Sequence, residues 1–146
     1  MKKLAILLVC LFSMQAVAKA DNEKPIQVKD LPQTAQTFIS KHFADQKVAF
    51  AKVENEIFEK TYEVVFSSGD KVEFDRAGEW LEVQCRNMGQ VPSDIVPVEI
   101  HRYVGETYPE AKIWSIERDR YDYEIKLSNG WEVKFDLKFN VIDLDR

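Results

Sequence analysis

The sequence predicts an α+β protein. It reads as a tandem repeat of a helix plus a four-stranded antiparallel sheet, with the sheets open to water on one face. Three observations carry this: an internal similarity, one apolar helical stripe per copy, and period-two alternation through the segments that follow. The similarity aligns Tyr62-Glu63-Val64-Val65-Phe66-Ser67-Ser68-Gly69 with Tyr123-Glu124-Ile125-Lys126-Leu127-Ser128-Asn129-Gly130 at an offset of 61. Upstream, Phe38-Ile39 matches Tyr103-Val104 at an offset of 65. The four-residue difference falls between Val53 and Tyr62, where the first copy has the longer turn.

The helices come first in each copy. Leu31, Ala35, Phe38, Ile39 and Phe43 recur at i, i+4, i+7, i+8 and i+12, which is one face of a helix. Val96, Ile100, Tyr103, Val104 and Tyr108 repeat the stripe. Pro32 suits a first turn, Pro92 or Pro97 begins the second helix, and Pro109 ends it.

The strands follow. Ser68-Gly69 and Asn129-Gly130 are hairpin turns. Asp75-Arg76-Ala77-Gly78 is a further turn, and its counterpart over 136–140 lacks the glycine, so Asn140 is expected in the left-handed conformation. Alternation sends Val64, Phe66, Val72, Phe74, Leu81, Val83 and Cys85 toward the helices. Trp131 shares parity with Val133 and Phe135 and belongs to the same core. The opposite face carries nine acidic residues against three lysines, and a face so charged faces water.

The chain divides into a secretory signal peptide (1–20), a linker (21–29), a first repeat (30–86) and a second repeat with its connector (87–146). Lys2 and Lys3 precede the apolar run Leu4 to Phe12, and small residues around Ala18 and Ala20 suit cleavage after either. The run is too short for a spanning helix of about 20 apolar residues. Val9 is too bulky for a lipoprotein site at Cys10. The protein is therefore expected in the periplasm or outside the cell, without a membrane span.

Loss of residues 1–20 removes three of the 20 basic residues and no acidic one, leaving a balance of −8. Such a surface repels nucleic acid, whose phosphates need clustered Lys and Arg. The charge-driven partner it suits is a basic exported protein or peptide. Cys85 is the single cysteine after residue 20, so an intramolecular disulfide is excluded there.

The strings YEVVFSSGDKVEFDRAGEWLEV and YEIKLSNGWEVKFD, the segment VPSDIVPVEIHRYVGETYPEAKI and the closing VIDLDR resemble the tandem PepSY-like, β-lactamase-inhibitor-like periplasmic proteins of Bacteroidetes. The resemblance covers residues 28–146. It implies a fold like β-lactamase inhibitor protein, with the sheets forming a wide, slightly concave surface. It does not imply β-lactamase inhibition, because the contact residues of that inhibitor lie outside the shared motifs.

Catalytic chemistry finds little purchase. His42 and His101 sit one per helix without an HxxxH pair. Cys85 lies on the helix-facing side as a small core residue. Asp119, Asp122, Asp143 and Asp145 do not follow an EF-hand spacing. No cofactor, resident metal or enzyme activity is expected. The leading expectation is a binding module that captures a protein or peptide on the acidic open face, including as an inhibitor of an exported enzyme. Trp80 would anchor the partner, and Glu63, Glu73, Glu82, Glu124 and Glu132 would supply complementary charge. The alternatives are a small-ligand or cation sensor and, third, a hydrolase.

Overall fold

The computed structural model describes residues 22–146. The expected signal peptide lies outside them. Nine strands form one antiparallel sheet in sequential order: β1 (Glu23–Ile26), β2 (Val48–Asn55), β3 (Lys60–Phe66), β4 (Lys71–Phe74), β5 (Trp80–Gln84), β6 (Ile113–Arg118), β7 (Asp122–Leu127), β8 (Glu132–Asp136) and β9 (Val141–Asp145). Helix α1 (Gln33–His42) precedes β2, and α2 (Val98–Thr107) precedes β6.

The expected tandem of helix-plus-four-stranded-sheet units is overturned by this sheet. The molecule is mostly β, a single nine-stranded sheet carrying two short helices. The joint is β5 on β6, where Val83 faces Ile116 and the Cys85 amide donates to the Trp114 carbonyl at 2.8 Å. Two separate sheets would each leave exposed edges with unpaired N–H and C=O groups. Pairing β5 with β6 removes two of them. Within the segment read as a linker (21–29), the described residues form β1 and begin a 3-10 turn at Val28–Asp30. Ile26 and Val28 pack against the core, which is what draws this segment onto β2.

Both helices lie on one face. Pro32 and Pro97 occupy their N-caps at φ near −50°, a conformation that needs no N–H donor from the proline. Ala35 and Ile39 are buried on α1, and Ile100 and Val104 on α2. Edge-to-face aromatic pairs fix each helix to its strands: Phe38 on Phe74 at 5.5 Å and Tyr103 on Phe135 at 5.4 Å. Phe43, just past α1, stacks on Phe66 at 4.8 Å.

Of four register shifts in the sheet, those in β5 and β9 redirect side chains that alternation had assigned to one face. Glu73 faces Glu82 while Phe74 faces Trp80, so Leu81 is an extra residue in β5. Lys134 faces Asp143 while Phe135 faces Val141, which leaves Ile142 extra in β9. The turn before β9 also differs from expectation. Phe139, not Asn140, is left-handed, at φ 65°. Asp136 Oδ1 accepts from the Lys138 and Asn140 amides at 2.9 Å, just as Asp75 Oδ1 accepts from Ala77 and Glu79. The same carboxylate-centred turn puts positive φ at the same position, and Phe139 recovers part of the strain by packing on Tyr123, ring centroids 5.5 Å apart.

Candidate binding surface

The face away from the helices is crossed by one continuous row of charged side chains. Reading from β2 to β9, the directly opposed residues are Lys52, Glu63, Glu73, Glu82, Glu117, Glu124, Lys134 and Asp143. Five consecutive glutamates therefore face one another between two lysines. At a strand spacing of about 4.8 Å, they extend across roughly 19 Å. Like charges in direct opposition destabilise a sheet, so this pattern works against folding.

The surrounding cations relieve it only at the ends. Lys71 Nζ lies 4.0 Å from Glu63, and Lys134 Nζ lies 4.0 Å from Glu124. Lys52 is drawn away to Glu23, at 2.9 Å. In the middle, Glu82 Oε1 accepts a hydrogen bond from the side-chain Nε2 of Gln84. Burial pushes the Glu73 carboxyl above its ordinary range, and the charges of Glu82 and Glu63 push it further, with Lys71 opposing. Burial likewise raises Glu117, followed by Glu82 and Glu124.

Of the residues expected on this surface, Glu63, Glu73, Glu82 and Glu124 fall in the row. Glu132 sits in the adjacent one, facing Lys126 and Asp145 and paired with Lys126 at 3.8 Å. There, Glu124, Glu132, Lys134, Asp143 and Asp145 line a shallow depression of about 110 Å³. Glu117 was missed because no turn signal set the register of β6.

Trp80 does not stand on the open face. The Leu81 bulge turns it to the helix side opposite Phe74, where it is only 8% exposed. Arg118 covers it, with the guanidinium carbon 3.8 Å from the ring centroid. A side chain so enclosed is not available as an interface anchor.

Other reactive groups serve the scaffold. Cys85 is fully buried, and burial, with the Asp70 charge second, pushes its thiol up to about 12. Asp70 is itself buried, and its two oxygens accept from the Asn87 and Met88 amides at 2.9 Å each. His42 Nδ1 lies 3.4 Å from Asp94, and the His101 ring lies 2.9 Å from the Ser93 carbonyl. Among the described residues, no three His, Cys, Asp or Glu side chains converge as metal ligands, and no helix is long and apolar enough to cross a membrane.

Residues 60–143 match the family model described as "Putative beta-lactamase-inhibitor-like, PepSY-like". No curated protein matches the chain. Among solved structures, a "putative periplasmic protein from DUF2874 family" of Bacteroides vulgatus is 59% identical, with a TM-score of 0.84 over 87% of this chain and 99% of that one. A "putative calcium-regulated periplasmic protein" from Bacteroides thetaiotaomicron is 56% identical, with the same TM-score and coverage. A third, a "putative periplasmic protein of unknown function" from B. vulgatus, is 38% identical with a TM-score of 0.80 over 85% of this chain and 99% of that one. The expected export, to the periplasm or beyond the cell, agrees with the periplasmic description of these relatives. With a family model spanning more than half of its length and relatives of this identity across nearly their whole chains, it belongs to the β-lactamase-inhibitor-like, PepSY-like family.

Proposed function

We propose that this periplasmic protein is a non-catalytic binding module that captures a basic protein or peptide on its open sheet face. The carrying observation is the unbroken opposition of Glu63, Glu73, Glu82, Glu117 and Glu124. Each like-charge pair costs stability of the order of 0.2–1 kcal/mol, and nothing in the scaffold requires five of them in register. Cationic side chains laid along the row would turn that repulsion into attraction and oppose the upward pKa shifts of Glu73 and Glu117. The acidic depression at Glu124, Glu132, Asp143 and Asp145 would take a further lysine or arginine head. The inhibitor-like description of the family favours a protein partner over a reaction.

Calorimetric titration with decalysine tests this. Binding should weaken steeply as salt rises from about 0.02 to 0.15 M. The Glu73→Gln/Glu117→Gln variant should lose roughly tenfold in affinity, equivalent to about 1.4 kcal/mol. Equal affinity of the wild type and this variant would reject the row as the site.

A second reading, regulation by a cation, is favoured by the relative described as calcium-regulated. Calcium chloride alone would then raise the melting temperature of the wild type, since a ligand stabilises through its affinity for the native state. The double glutamine variant would not respond.

A further inference from the structure

The β2–β3 hairpin is longer than its neighbours and ends in an apolar dipeptide. β2 has 8 residues and β3 has 7, against 6 each in the β6–β7 hairpin at the same end of the sheet. Each strand of the longer hairpin therefore projects further, by about 3–7 Å at the ordinary rise per residue. Its turn closes through the Glu56 amide donating to the Glu59 carbonyl at 2.8 Å. Ile57 and Phe58 between them are each 92% exposed, the two most exposed large apolar side chains among the described residues.

Neither packing nor turn chemistry accounts for them. They touch no core cluster. The two-residue hairpin turns that match sheet twist need positive φ and favour Asn, Asp and Gly. Phe139 is the one non-glycine with positive φ among the described residues, so Ile57 and Phe58 both have ordinary backbones that a polar residue would adopt as readily. The stem is braced on its β1 side: the Asn55 amide donates to the Asn22 carbonyl at 3.0 Å, and Glu23 pairs with Lys52. The tip is thus presented on a supported rod instead of a slack loop.

We infer that the Ile57–Phe58 tip is a plug that inserts into an apolar socket, rimmed with basic groups, on a partner protein. The occupant follows from charge. Exposed Glu56 and Glu59 flank the plug on both sides, which repels an anionic lipid surface. The −8 balance of the mature chain likewise repels a second copy. A socket that buries both side chains while its rim meets the two carboxylates satisfies both halves of the tip. This site is separate from the glutamate row and does not depend on it.

The test uses the full mature protein with p-benzoylphenylalanine at position 58, irradiated in periplasmic extract of the native host, with the same probe at Asn129 as the control. Asn129 lies in the turn at the opposite end of the sheet. The expected result is a protein adduct of defined mass from position 58 only. Excess unlabelled wild type abolishes it, as does Glu73→Gln/Glu117→Gln, whereas Ile57→Ser/Phe58→Ser does not compete at tenfold higher concentration. Thermal melting checks the serine variant, which keeps the wild-type midpoint because these side chains contribute nothing to the core. The inference is overturned if position 58 gives no adduct beyond the control, if the adduct is lipid or a second copy, or if the serine variant competes like the wild type.

Discussion

The Arg118 guanidinium sits over the Trp80 ring, and its Nε donates to the Trp80 carbonyl at 2.8 Å while Nη2 reaches toward Glu79 at 3.7 Å. One side chain thus seals the indole, holds the bulged start of β5 and ties β6 to the turn before it. Arg118→Ala should cost about 2–4 kcal/mol, the sum of a partly exposed cation–π contact and a charge-assisted hydrogen bond. Urea unfolding measures the loss. A red shift in the emission component that Trp80→Phe removes would show that the indole has been uncovered.

The glutamate row makes stability depend on pH in an unusual direction. Glu73 has a folded-state pKa above the ordinary 4.5, so the native state binds its proton more readily than the unfolded chain does. Stability from this group is therefore greatest at low pH and declines as pH rises through the window just above 4.5. Glu73→Gln removes the penalty. It should raise stability at neutral pH by about 0.2–1 kcal/mol, with the gain vanishing in acid. Melting curves of both proteins across pH check the sign.

Gly78 is at φ +87°, and a Cβ there would come within 2.8 Å of Pro32 Cβ and 2.9 Å of the Ala35 backbone nitrogen. Gly78→Ala should destabilise by about 2–4 kcal/mol, combining left-handed strain with a backbone clash at the start of α1. Gly89, at φ +99°, has nothing within 4 Å, so Gly89→Ala should cost only about 1–2 kcal/mol. The difference between the two midpoints isolates the helix contact.

Asp70→Ala strands the Asn87 and Met88 amides beside a buried site and should cost about 2–4 kcal/mol. Asp70→Asn keeps one acceptor and should recover part of that. Denaturant midpoints rank the three proteins.

Cys85, with its thiol pushed up to about 12, should resist iodoacetamide at about pH 8 until the protein unfolds. Mass spectrometry of native and urea-treated samples reads this directly.

Residues whose placement depends on strict alternation were legible in the sequence. Val64, Val72, Val83, Ile125 and Val133 all reach the core. So were the buried thiol and the proline-initiated helices. Trp80 was misplaced because a bulge carries no reliable residue signature, and one extra residue reverses every side chain beyond it. Glu117 was invisible for a related reason: its membership in the row follows from the pairing of β5 with β6, a contact between segments joined by a helix and two loops. The same pairing is what merges the sheet. Phe139 shows a local hydrogen-bond pattern overriding residue preference.

Neighbouring strands in a sheet are rotated by about 20–25° about the direction that the glutamate row follows. From Glu63 to Glu124 the carboxylates would accordingly fan through about 80–100°. A straight, stiff ligand could engage only a stretch of them at once, whereas a pliable basic chain could wind along the whole arc.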